Sequence, residues 1–480
     1  MRDIAAEHDS DVGAEHDDGD NAAPERDDSA APEREVRAPA QALDEYRARA
    51  RAWIEANLER GQASGLRRGD TDPAAIAAGR ALQRRLYEAG YTGITWPREY
   101  GGQGLGPEYE RAFQQEARGY RLPDLGIAGG TTFGVCAMTM LAHASADFLR
   151  RHIPRILAGE ELFVQFFSEP EAGSDLAGVR TRAVRSGDGW VLNGSKIWSS
   201  GAYYADWGMC LARTDWDVPK HRGLTWFAVP VTAPGVTVER IRQITGDAEF
   251  CQEFFDDVVL GDGDVIGQVN DGWTVAQTML MFERGGGLSH GTRTTGASTG
   301  VAPDLVELAR ATGRLADPLT RDLIVRAHVD DVARRALLAR LGERMRTDPA
   351  QALHLASYAK LVSGVHDPIR ADIAMRIGGA DAVNWETVGA DGACADGAHG
   401  DAVSGDAVNR DERPGDSPGP KVAVGFLNSR FMSIAGGTNE MQRNSIGERV
   451  LGLPREPSFD RGKPFREVLR DARGWSSARE

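Results

Sequence analysis

Gln165-Phe166-Phe167-Ser168-Glu169-Pro170-Glu171-Ala172-Gly173-Ser174-Asp175 and, shortly after it, Leu192-Asn193-Gly194-Ser195-Lys196-Ile197-Trp198-Ser199-Ser200-Gly201 decide how this chain is read. Each reads as a strand leading into a loop rich in hydroxyls and backbone amides. The apolar run Leu162–Phe167 has the length of a buried strand. Trp190-Val191-Leu192 lies between Gly187-Asp188-Gly189 and Asn193-Gly194, which both favour turns. The second segment sets the indole of Trp198 close to the hydroxyl of Ser200. An aromatic plane beside hydroxyl donors suits a flat heteroaromatic ligand with carbonyl and nitrogen edges. A Trp beside a turn equally fits a core position.

Working outward, Gly223–Val231 and Val236-Thr237-Val238 read as further strands, so residues 161–272 form a β-region. Residues 41–160 before it are helical. Tyr46, Ala50, Trp53, Ile54 and Leu58 recur on one helix face, as do Ala81, Leu82, Leu86 and Ala89. Trp96–Gly104 (WPREYGGQG) breaks this pattern as a loop. From residue 273 helices return. Helices, then strands, then helices is an α+β order, and without GxGxxG at a strand–helix junction a Rossmann site is disfavoured.

The chain has 480 residues and a net charge of −15. That charge is concentrated in residues 1–40 and 387–420, leaving the rest close to neutral, which speaks against nucleic-acid binding. Residues 1–40 and 389–420 are poor in apolar groups and read as a disordered tail and a disordered insertion. The four cysteines lie far apart without a CxxC pair, so a zinc ribbon and a disulfide framework are disfavoured. The histidines have no metal-ligand spacing, and no metal site is expected. No apolar run is long enough for a membrane span and no secretory h-region opens the chain, so a cytoplasmic protein is expected.

The two opening segments resemble the flavin-binding signatures of the acyl-CoA dehydrogenase family, in the form found in its actinobacterial degradative branch. The resemblance extends to WPREYGG at 96–102, GGTNEMQR at 436–443 and VLGLPRE at 450–456. It implies an N-terminal helical domain (41–160), a middle β-barrel or sandwich domain (161–272) and a C-terminal four-helix bundle (273–388 and 421–475), with FAD between the last two. It also implies that Ser168 bonds the flavin's pyrimidine edge, that Trp198 packs on one ring face, and that Ser200 donates near N5. Gln165 and Phe167 would contact the ring, Gly437 and Thr438 would lie near the FAD, and Ser174 would approach the CoA thioester. An acyl-CoA is the implied substrate and an electron-transfer flavoprotein the implied acceptor, within a homo- or hetero-oligomer.

The family's catalytic glutamate often stands in a YEGT motif, but here Gly436 occupies that place in Ala435-Gly436-Gly437-Thr438. Other branches carry the base on an earlier helix, and Met281-Phe282-Glu283-Arg284 matches that position. Glu283 is therefore the expected base and the Gly436 N–H a candidate to polarise the thioester carbonyl. A Glu283–Arg284 ion pair is the plain alternative for the first, and a tight turn for the second. Glu440 is expected to be structural. Two further departures bear on the FAD pyrophosphate. The usual RxxFGxxI segment is replaced by Ala309–Arg314, leaving Arg310 and Arg314 as candidates, and GGxGF is reduced to Ile377-Gly378-Gly379-Ala380. The resulting expectation is FAD-dependent α,β-dehydrogenation of an acyl-CoA to a trans-2-enoyl-CoA. The alternatives are a non-catalytic subunit completing a shared FAD site, or an oxidase or monooxygenase on the same fold.

Overall fold

A computed structural model describes residues 40–61, 72–283, 301–348, 352–383 and 419–477. Residues 1–39 and 389–418, within the expected tail and insertion, lie outside these, as does Arg284. Residue 40 opens the first helix, and residues 419 and 420 open a later one.

Among the described residues the α-helices that come first are α1 (Ala40–Asn57), α2 (Pro73–Glu88), α3 (Pro107–Glu116), α4 (Gly126–Thr131), α5 (Ala137–His143) and α6 (Ala146–Leu157). Their ends have identifiable causes. Asp72 caps α2 by accepting from the Ala74 N–H, with Pro73 in the first turn where its missing N–H costs nothing. Ser145 caps α6 through the Phe148 N–H.

The strands follow as β1 (Phe163–Phe166), β2 (Arg182–Ser186), β3 (Gly189–Ser200), β4 (Trp207–Arg213), β5 (Leu224–Pro230), β6 (Val236–Ile241), β7 (Phe250–Gly261) and β8 (Val265–Ile266). They form one sheet in the order β6-β7-β3-β2-β4-β5-β8, with β1 also pairing β4. The β1–β4 and β2–β4 pairs are parallel and the others antiparallel. β4 and β5 are buried on both faces, so both read as nearly unbroken apolar runs. Met209, Leu211, Trp226 and Ala228 face α5 and α6. Cys210, Ala212, Phe227 and Val229 face the other way and meet Leu192 of β3 and Val258 of β7, so the sheet curls over its own core.

Asn193-Gly194 is not the turn its sequence suggested. β3 runs straight through it with a shift in register at Leu192/Gly194. The cause is a side-chain pair: Asn193 Nδ2 donates to Asp257 Oδ1 at 2.9 Å and the Asp257 N–H donates to Asn193 Oδ1 at 3.1 Å. This replaces the ladder bonds an Asn-Gly turn would have broken, and Gly194 (φ 144°) passes so close to Thr181 that a Cβ would collide with it. The segment 192–201 is accordingly mostly strand rather than loop.

Helices then return: α7 (Gly272–Met281), α8 (Pro303–Ala311), α9 (Pro318–Thr347), α10 (Ala352–Gly378), α11 (Gly419–Ser429), α12 (Asn439–Ser445) and α13 (Phe465–Ser477). Leu305, Leu308, Ile324, Ala327, Ile373 and Ile377 join α8, α9 and α10 in one apolar core. α13, expected within the bundle, begins instead against the β-domain. The Phe465 and Arg466 N–H groups donate to the carbonyls of Val218 and Trp216, and the Phe465 ring covers the buried Arg213 guanidinium at 4.0 Å. Among the described residues no helix is long and apolar enough to cross a membrane.

Candidate active site

The two diagnostic segments are stitched together by three hydrogen bonds. The Ile197 N–H donates to the Ser168 carbonyl at 2.9 Å. Lys196 Nζ donates to the Phe167 carbonyl at 3.0 Å and to Glu169 Oε1 at 2.9 Å. Glu169 also accepts the N–H groups of Arg180 and Thr181. Burial works against its ionisation, but the Lys196 charge and these donors outweigh it and hold its carboxyl below the usual range. Both loops are thus fixed from beneath by one buried ion pair.

Above that pair the side chains point outward. Trp198 sits at the second register shift of β3, at φ 71°, a left-handed value uncommon for a residue with a side chain. Its indole is 56% exposed and meets the edge of Phe250 at 5.9 Å, so it is not a core residue. The half-buried Ser168 and Ser200 hydroxyls make no hydrogen bond to another described residue. Ser174 is exposed in the following loop, next to Asp175, whose carboxylate receives Lys220 Nζ at 2.8 Å. Phe167 turns its ring into the core against Trp226, leaving its backbone to the loop.

From the bundle side come Glu283, at the end of α7, and Gly436-Gly437-Thr438. Gln165 Nε2 donates to Glu283 Oε2 at 3.4 Å. A Cβ placed on Gly436 would lie 3.4 Å from Glu283 Oε1 and 3.4 Å from Lys360 Cε. Glu283 thus brings its carboxylate to the position from which a side chain at 436 would start. Burial and, after it, the charge of Glu283 push the thiol of the core residue Cys136 up. Gly436 and Gly437 adopt φ 66° and 89°, which only glycine takes easily. Their carbonyls accept from the buried Gln442 amide at 3.1 and 3.0 Å, and Thr438 caps α12 through the Met441 N–H. Gln165, Glu283 and Gly436 therefore converge, whereas no hydrogen bond joins Ser174, Trp198 or Ser200 to them. Glu440 is exposed and pairs with Arg443 on its own helix, as a structural residue would. Arg314 donates to the Arg376 carbonyl, and its guanidinium lies where a Cβ on Gly379 would stand.

Lys360 is a neighbour the sequence reading missed. It lies within α10, nearly buried, with Nζ donating to the Met432 carbonyl at 2.5 Å. Only tertiary packing brings it beside Gly436.

An exposed indole on a bulged strand, flanked by two unengaged hydroxyls, fits a flat heteroaromatic ring with polar edges, and the donor set suits a flavin. Comparison with known proteins agrees. The family models for the N-terminal, middle and C-terminal domains of acyl-CoA dehydrogenases match residues 41–160, 165–258 and 270–451. Acyl-CoA dehydrogenase IpdE1 of Mycobacterium tuberculosis is 35% identical, over 87% of this chain and 99% of its own length. Acyl-CoA dehydrogenase FadE34 of the same organism is 35% identical over 78% of this chain, which spans 46% of that longer protein. The solved structure of the Tcur3481-Tcur3483 steroid ACAD superposes with a TM-score of 0.60 at 26% identity, covering 87% of this chain and 99% of that one. The chain belongs to the acyl-CoA dehydrogenase family, FAD flavoproteins that oxidise a CH–CH bond of acyl-CoA thioesters.

Proposed function

We propose that this chain dehydrogenates the α,β bond of a steroid-derived acyl-CoA, with Glu283 removing the α-proton, to give a trans-2-enoyl-CoA. The observation that supports the base is the placement of the Glu283 carboxylate over Gly436, within reach of the Gln165 amide. An α-C–H is a weak acid, so the base must be held in place and the thioester carbonyl polarised. Gln165 restrains the Glu283 carboxylate. Gly436, without a side chain, leaves room for that carboxylate, and its N–H is the candidate donor to the thioester carbonyl. Ser168, Trp198 and Ser200 would hold the flavin ring, with Gly437 and Thr438 beside the FAD, and Ser174 lies on the loop expected to meet the CoA arm. Bound FAD supplies the acceptor for the β-hydride, and an electron-transfer flavoprotein would take the electrons onward.

The substrate class is supported by likeness to a protein described as a steroid ACAD. That protein's two-part name also favours a second reading for assembly, in which this chain works beside a related subunit. The exposed Val325, Val329 and Val332 recur on one face of α9, an apolar stripe that no described residue covers and that suits such an interface. Anaerobic titration with steroid-derived and straight-chain acyl-CoAs tests the activity. Bleaching of the flavin by the steroid-derived thioester is expected. A yellow protein bleached only by straight chains contradicts the substrate class. A protein that acquires FAD only when co-expressed with a related chain supports a shared site.

A further inference from the structure

Beneath the flavin loops lies a buried carboxyl that the mechanism does not use. Lys196 of β3 stands opposite Glu253 of β7, just before the shift at Ile197/Ser199 that turns Trp198 outward. Both side chains are fully buried. Lys196 is already engaged by Glu169 and the Phe167 carbonyl. Glu253 Oε2 accepts from Ser199 Oγ at 2.9 Å, while Glu253 Oε1 has no hydrogen-bond partner among the described residues. An ionised carboxylate with a bare oxygen is costly in such a place, whereas the neutral acid is tolerated.

Ser199 lies between Trp198 and Ser200. Trp198 holds a left-handed conformation that a side chain disfavours, so the strand must be restrained on either side of it. On one side the Ile197 N–H is tied to Ser168, and beyond the other the Gly201 N–H is tied to the Glu249 carbonyl. At 199 itself the side-chain anchor is Glu253. We propose that Glu253, as a neutral carboxylic acid, is a positioning residue that draws Ser199 inward and so fixes the Trp198–Ser200 segment against which the flavin seats. This rests on reading that segment as flavin-binding.

Burial pushes Glu253 up to about 8, against the Ser199 hydrogen bond and the Lys196 charge. The titratable groups around it are Lys196 on β3, Glu169 after β1, Cys210 on β4 and Cys251 on β7, with Arg240 of β6 acting on Cys251. Burial pushes the two thiols up to about 12 and about 11, and the Lys196 charge helps hold Glu169 low, whereas Glu253 changes charge near pH 8. Its acid form is present at lower pH and is lost as pH rises through that value.

The test is FAD release from the dilute holoprotein between about pH 6 and pH 9.5, followed by flavin fluorescence, in wild type, Glu253→Gln and Glu253→Ala. The wild type is expected to release FAD about tenfold more readily at the alkaline end. Glu253→Gln, which mimics the neutral acid, should retain FAD throughout with a flat profile. Glu253→Ala should release it at every pH. If Glu253→Ala does not fold, the Glu253→Gln profile decides alone. A Glu253→Gln profile that follows the wild type overturns the proposal while leaving the flavin reading intact. A wild type that never takes up FAD overturns both.

Discussion

At the scale of the residue, Gly436 sets where the Glu283 carboxylate, the proposed base, can stand. Its left-handed backbone disfavours any residue with a Cβ, although Glu283 Oε1, 3.4 Å from where that Cβ would stand, is at ordinary contact distance. Gly436→Ala is expected to cost about 1 kcal/mol in backbone strain and, by shifting the 436–437 loop, to disturb the carboxylate that meets it. Flavin reduction by substrate should slow by about tenfold or more, as misplaced catalytic groups do, with FAD content unchanged. Stopped-flow reduction at saturating thioester measures this. Glu253 makes a separate prediction for stability. Its folded pKa of about 8 exceeds its ordinary 4.5, so its cost to the fold is absent at low pH, grows from about pH 4.5 and is complete above about pH 8. Glu253→Gln should therefore be more stable than the wild type at neutral pH, by up to about 3 kcal/mol, with the two converging near pH 4. Denaturant titrations at several pH values follow it. Glu283 was a candidate in the sequence through the resemblance of Met281–Arg284 to the family's base-bearing helix and the glycine at 436, and the structure brings the two together. Lys360 and Glu253 were not, because each is defined by what lies across a helix pair or a β-ladder rather than along the chain.

At the scale of the element, β3 carries the side of the site proposed to meet the flavin, and its irregularities place the residues proposed to do so. One shift lets Asn193-Gly194 stay in the strand, and the next turns Trp198 outward. Sequence reading found the strand but ended it at Asn-Gly, since the Asp257 side chain that rescues the pairing lies on β7. It also allowed Trp198 a core position, because nothing local announces a left-handed bulge at a tryptophan. Lys196 ties these irregularities to the other loop. Lys196→Met would leave the Glu169 carboxylate buried with only its two backbone donors, and breaking a buried pair in this way costs about 3–5 kcal/mol. The variant should lose FAD before it loses its secondary structure, as flavin fluorescence and far-ultraviolet circular dichroism followed through one denaturant titration would show.

At the scale of the whole molecule, the helix–sheet–helix order was readable from periodicity and breakers alone, because apolar residues change spacing near 160 and again near 270. The course of the chain after the bundle was not. Residues 455–477 contain little apolar surface, and nothing in them names the face they cover. The structure brings them back to the β-domain, where Phe465 covers Arg213 and Lys220 bridges Asp460 and Asp175. The Arg213 guanidinium is fully buried, and its hydrogen bonds run to the carbonyls of Ala177, Val179, Lys220 and Arg222. Phe465→Ala should open this site and lower stability by about 3 kcal/mol, measured by the shift in denaturant midpoint. Because Asp175 ends the 168–175 loop, weaker FAD retention should accompany the loss.

The central claim is that Glu283 removes the α-proton. Its most direct test is anaerobic single-turnover reduction of Glu283→Gln by the thioester that bleaches the wild type. A yellow variant whose flavin bleaches about 10²–10⁴-fold more slowly, with thioester affinity little changed, is the predicted result. A yellow variant that bleaches within a few-fold of the wild-type rate would place the base elsewhere and contradict the account.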